Sequence, residues 1–102
     1  MVARYLEGKV VYLIGSGSEA HRGVAVALAE AGADLAIGGK GGMPDEVPLH
    51  SIANEIWAMN RRAVVVTLDE ADPMSFAAGV ASVIEQLGRA DLVLRCDSVA
   101  TV

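Results

Sequence analysis

Five consecutive apolar residues, Val10 to Ile14, run straight into a turn of small residues, Gly15-Ser16-Gly17-Ser18, and then into an alanine-rich segment that stops at Gly32. An apolar run without polar alternation reads as a strand buried on both faces, the signature of a parallel sheet. Parallel strands cannot be joined by a hairpin and need a crossover. The alanine-rich segment supplies it: Val24, Ala27, Leu28 and Ala31 fall at i, i+3, i+4 and i+7 and predict one apolar helix face, with Gly32 as the C-terminal stop. This one stretch therefore commits the chain to the α/β class.

The rest of the chain repeats the unit. Further apolar runs at Leu35 to Ile37, Ala63 to Thr67 and Leu92 to Leu94 predict three more buried strands. A second helix is expected from Ser51 to Met59, with Ser51 as N-cap and Ile52, Ile56 and Met59 facing inward, after a glycine- and proline-rich loop from Gly38 to His50. A third has Asp72 as cap, Pro73 in the first turn, Phe76, Val80, Val83, Ile84 and Leu87 on one face, and Gly88 as its end. Right-handed crossovers arrange β-α-β-α-β-α-β as a Rossmann-like three-layer sandwich: a four-stranded parallel sheet in the order 3-2-1-4, two helices on one face and the third on the other. That is half of a doubly wound fold. Its fourth strand is an open apolar edge, from which a homo-oligomer or a complementing chain is expected.

At 102 residues the chain is expected to form a single domain, 1–102, with no room for a separate substrate domain. Its net charge of −5 argues against nucleic acid and anionic membranes, which require clustered Lys and Arg. The single cysteine, Cys96, makes no internal disulfide or metal pair, and His21 and His50 show no metal-ligand spacing. No apolar run is long enough for a signal core or a membrane span, so a cytoplasmic location is expected.

With these elements placed, the chain resembles the N-terminal portion of the short-chain dehydrogenase/reductase family. The stretches LEGKVVYLIG, VALAEAGADLAI, RRAVVVTLDEADP and GRADLVL carry the resemblance. It implies an NAD(P)-binding oxidoreductase whose glycine turn follows Thr-Gly-x-x-x-Gly-x-Gly. In that register Ile14 replaces the Thr, Gly15 is kept, and Glu19 and His21 replace the later glycines; read as G-x-G-x-x-A, the match is Gly15, Gly17 and Ala20. A Glu19 carboxylate held ~4 Å from a phosphate charge would cost roughly 4 kcal/mol at an effective dielectric near 20. Protonated, His21 would partly offset it.

Other family positions divide. After the second strand, where an acid favours NAD and a base NADP, stand Gly39 and Lys40, which points to NADP over NAD if a dinucleotide binds. The Asp beside the adenine is matched by Asp69. The Asn-Asn-Ala-Gly stretch after the fourth strand is replaced by Arg95, Cys96, Asp97 and Ser98. The resemblance thus implies Gly15, Ser16, Gly17, Ser18, Ala20, Lys40 and Asp69 as cofactor-binding residues and no catalytic residue, because the family's Ser and Tyr-x-x-x-Lys lie beyond the fourth strand. Three readings stay open: the nucleotide-binding portion of an oxidoreductase completed by further residues, a non-catalytic interaction or assembly module without cofactor, or a site for a small nucleotide monophosphate.

Overall fold

The computed structural model describes residues 5–96, and the element order is that expected from the sequence. Four strands, β1 (Val10–Ile14), β2 (Asp34–Gly39), β3 (Ala63–Thr67) and β4 (Leu92–Arg95), alternate with helices α1 (Glu19–Glu30), α2 (Glu46–Ala58) and α3 (Pro73–Leu87). All strand pairs are parallel and the order is β3-β2-β1-β4. Every residue of β1 is buried, as its unbroken apolar run requires. Ile14 is in register with Gly38 on one side and Arg95 on the other, so β1, β2 and β4 end together. The turn after β1, the loop after β2 and the end of β4 therefore meet at one edge of the sheet.

Two apolar layers cover the sheet. Val11, Leu13, Leu35 and Ile37 pack against α1 and α2, while Val10, Tyr12, Ile14 and Ala36 pack against α3. Strand alternation sends successive side chains to opposite faces.

The helices refine the sequence reading. In α1 the buried stripe is His21, Ala25 and Ala29, with Val24 and Ala27 exposed. A helix this rich in Ala and Val offers two apolar stripes about one position apart. The structure selects the one whose small side chains let the helix approach the sheet and whose first member, His21, anchors it. In α2 the helix starts at Glu46, not Ser51, so the loop from Gly38 is shorter than expected and Ser51 is exposed mid-helix. Pro48 does not prevent this, because it lies in the first turn, where a missing N–H costs nothing. Leu49, Ile52, Ala53 and Ile56 make its buried face, and Met59 packs partly buried beside them. In α3 the cap is as expected: Asp72 accepts a hydrogen bond from the Met74 N–H at 2.9 Å, and Gly88 ends the helix at φ 89°. Its buried residues are Gly79, Val83 and Leu87, whereas Ile84 is exposed.

Tyr12 explains Gly79. The Tyr12 ring is fully buried beneath α3, its hydroxyl donates to the Val66 carbonyl at 3.1 Å, and a Cβ at Gly79 would lie 2.7 Å from that hydroxyl. Burial, with the nearby Glu70 charge adding to it, pushes the phenol up to about 12. Between pH 10 and 12 the unfolded chain loses a proton that the folded chain keeps, so stability falls with rising pH across that window. The loss amounts to about 3 kcal/mol at its limit, taking roughly 1.4 kcal/mol per pKa unit. Urea unfolding across pH 9–12 should show this slope in the wild type and a shallower one in Tyr12→Phe; equal slopes would remove Tyr12 as its origin.

Candidate functional site

The turn after β1 is built around a histidine. Ser18 caps α1, its hydroxyl accepting from the His21 N–H at 3.2 Å. The His21 ring turns back under the turn, fully buried, where Nδ1 accepts from the Gly17 N–H at 2.9 Å and Nε2 stands 3.0 Å from the Leu13 carbonyl. A carbonyl only accepts and an amide N–H only donates, so both contacts are satisfied together by the neutral ring with its proton on Nε2. His21 is thus a strut between β1 and the turn, and the expected partial offset of Glu19 by a protonated ring does not fit this geometry.

Glu19 faces away. Its side chain is 90% exposed and lies 3.5 Å from Arg22, one turn along α1. A carboxylate in a helix's first turn also complements the helix dipole.

The glycines in this turn answer to protein atoms. A Cβ on Gly15 would fall 2.7 Å from both the His21 ring and the Cys96 sulfur, while Gly17, at φ 82°, has Pro48 of α2 pressed against it. That second contact follows from the early start of α2, which the sequence reading missed; Pro48 in a helical first turn was the available signal. Cys96 is partly buried, its thiol 3.5 Å from the Ile14 carbonyl. Its packing against the apolar core is that of a small hydrophobe.

Two cavities open along the C-terminal edge of the strands. One, of about 170 Å³, is lined by Gly15, Ser16, Lys40, Asp45, Leu49 and Glu70. The other, of about 600 Å³, is lined by Lys40, Gly41, Thr67, Asp69, Glu70 and Ser75 among others. Lys40 and Glu70 belong to both, so the two form one crevice. The structure therefore brings together four of the sequence-predicted residues, Gly15, Ser16, Lys40 and Asp69. Gly17, Ser18 and Ala20 are not among the lining residues: Gly17 is engaged by His21 and Pro48, Ser18 by its cap, and Ala20 is exposed in the first turn of α1. The first-turn amides of α1 remain, as at any helix start, without carbonyl partners within the helix.

Charge in the crevice is mixed. Lys40, largely exposed, lies 3.7 Å from Asp45, and Arg95 lies 3.3 Å from Glu70. Asp69 Oδ1 accepts from the Ala71 N–H at 3.0 Å and so fixes its own loop. Among the described residues no cluster of His, Cys, Asp and Glu fits a metal, and no helix is long and apolar enough to cross a membrane. Asp97 and Ser98 lie outside the described residues.

A parallel sheet whose first strand passes through a glycine turn into a helix, with a crevice at the strands' carboxyl ends beside the switch between β1 and β4, defines the Rossmann-type class. No family model matches the chain. It is 34% identical over 91 residues to L-rhamnose 1-dehydrogenase (NAD(P)(+)) of Sphingomonas sp. strain SKA58, an alignment covering 89% of this chain and 35% of that protein. A short-chain type dehydrogenase/reductase from Mycobacterium marinum superposes with a TM-score of 0.76 at 26% identity, over 86% of this chain and 34% of that one. A blue fluorescent protein from a metagenomic library, solved with NADPH, superposes with a TM-score of 0.71 at 30% identity, over 86% and 35%. The chain thus matches the N-terminal Rossmann portion of the short-chain dehydrogenases/reductases, and it spans about a third of the length of these relatives.

Proposed function

We propose that the chain is the nucleotide-binding portion of a short-chain dehydrogenase/reductase-like oxidoreductase, and that its crevice takes NADP(H) in preference to NAD(H). The observation that carries this reading is that Lys40 and Asp69, the two charged positions implied for the cofactor, line one cavity that continues to the Gly15-Ser16 turn. The name of the rhamnose dehydrogenase gives NAD(P)(+) as its cofactor, and the metagenomic protein was solved with NADPH, which supports a dinucleotide of this class. Among the described residues that line the crevice, Lys40 at the end of β2 is the basic one, which supports the phosphorylated form. Among the described residues, neither tyrosine stands at the crevice. Tyr12 is buried with its hydroxyl on Val66, and Tyr5 and Lys9 precede β1, at the end opposite the crevice.

Titration with NADPH and NADH, followed by thermal shift and intrinsic fluorescence, tests this. NADPH should bind more tightly, and Lys40→Ala should erase most of a roughly fivefold to tenfold preference, the scale of one exposed charge-assisted contact. No response to either nucleotide at millimolar concentration would end the reading. Because Glu19 points to solvent and pairs with Arg22, Glu19→Gln should change NADPH affinity by less than about threefold, where a carboxylate facing the phosphate would matter by roughly three decades.

A second reading rests on β4. Leu92, Val93 and Leu94 are 43%, 39% and 36% exposed on a strand paired only with β1 among the described residues. An apolar edge with unpaired backbone groups recruits another strand, which supports association with a second copy or a complementing chain and a role in assembly. Light scattering at high concentration should give a dimer or larger; a clean monomer would remove this reading.

A further inference from the structure

Arg95 stands at the end of β4 where the related family has its first Asn, and its guanidinium Nη1 lies 3.3 Å from Glu70 Oε1. Glu70 belongs to the loop after β3, which lies at the opposite edge of the sheet. The ion pair therefore reaches across the carboxyl ends of β1 and β2, and Glu70 itself lines both cavities. Both side chains are about half exposed. Pairs so exposed add little to stability, so folding alone gives no account of a charge bridge placed over the crevice. Lys40 shows the same arrangement, held by Asp45 at 3.7 Å. Each cation at the crevice is thus matched to a carboxylate of its own chain.

We propose that Glu70 stands in for a ligand phosphate: it holds Arg95 at the mouth of the crevice and yields it to the pyrophosphate of an incoming ligand, so that Arg95 is a binding residue and Glu70 sets the affinity threshold. A guanidinium presents paired N–H donors that match two phosphate oxygens as readily as a carboxylate, and a doubly charged pyrophosphate competes well for it. The Gly15-Ser16 segment lines the cavity beside Glu70, which places the exchange next to the glycine turn. The ligand class, a pyrophosphate-bearing nucleotide, rests on the dinucleotide reading above. The exchange of partners by Arg95 does not.

Inorganic pyrophosphate, titrated at low salt into the wild-type chain, Glu70→Gln, Arg95→Gln and the double variant, separates the two, with Lys9→Gln at the far end of β1 as control and circular dichroism to confirm folding. Arg95→Gln should weaken pyrophosphate binding about threefold to tenfold, the range of one charge-assisted contact, and Glu70→Gln should strengthen it by a similar factor. In the Arg95→Gln background the Glu70→Gln gain should shrink to less than about twofold. An equal gain in both backgrounds would mean simple repulsion and would overturn the exchange, as would a wild type that does not bind pyrophosphate or an Arg95→Gln variant that binds it as tightly as the wild type. If pyrophosphate shows the coupled pattern while NADPH does not bind, the dinucleotide reading fails and the exchange stands. If NADPH binds with an affinity indifferent to both residues, the reverse holds.

Discussion

Replacing His21 by Ala is expected to lower the unfolding free energy by about 3–5 kcal/mol, a large part of what a chain of this size commands. The ring is fully buried, and it satisfies the Gly17 N–H on one side and the Leu13 carbonyl on the other. Deleting it removes apolar contacts with the sheet, opens a void beneath the turn and leaves the Gly17 donor in search of a partner. An unsatisfied buried polar group costs roughly 1–3 kcal/mol, and a void in a packed site adds to that. His21→Leu restores much of the volume and neither hydrogen bond, so the difference between the two variants in urea unfolding apportions cavity and polar terms. His21→Gly, which would restore the glycine of the family pattern, should lose still more, since glycine inside a helix costs about 1 kcal/mol beyond alanine. A loss of under 1 kcal/mol in His21→Ala would show that the strut is dispensable.

That result bears on how the site is read from sequence. In the linear motif, His21 and Glu19 look like two departures of one kind, each placing a side chain where a phosphate should come. In space they separate. Glu19 turns outward to Arg22, and His21 turns inward under the turn. Spacing along a helix fixes which residues share a face, but α1 carries two apolar stripes of nearly equal quality, and only the three-dimensional fit of Ala25 and Ala29 against the sheet selects between them. The strands were legible because parallel strands read as unbroken apolar runs, a signal that β1 and β3 carry at their exact bounds; the burial expected of them holds for β1, whereas β3 and β4, at the edges of the sheet, are partly buried and exposed respectively. The start of α2 was not legible, because glycine and proline suggest a loop unless the proline falls within a first turn. It is this start that brings Pro48 onto Gly17 and Asp45 beside Lys40. The Arg95–Glu70 pair was also invisible, since residues 25 positions apart in the chain meet only after the sheet has set its strand order.

Gly39→Asp, the change that would place at the end of β2 the acid that the family resemblance associates with NAD, is expected to destabilise the fold by about 3 kcal/mol or more and to create no preference for NADH. A Cβ at Gly39 would fall 2.5 Å from the Gly15 carbonyl oxygen and 3.0 Å from both Leu49 methyl carbons. The first contact is with backbone, at the root of the glycine turn, and cannot be relieved by a rotamer change. Either β1 and β2 part at their ends or α2 lifts off. Overpacking of this kind costs roughly 1–3 kcal/mol, and a carboxylate added at a buried position costs more unless it finds donors. Gly39→Ala isolates the steric part and should lose about 2 kcal/mol by the same measure. The comparison of Gly39→Ala with Gly39→Asp by denaturant unfolding, and of both with wild type by NADH and NADPH titration, checks the argument. A Gly39→Asp variant that unfolds like the wild type and gains NADH affinity would refute it. The expected outcome gives a physical reason for glycine here: β2 ends against Gly15 so closely that no side chain fits, and on the function proposed above discrimination between the two dinucleotides would fall to the next residue, Lys40, whose side chain is exposed.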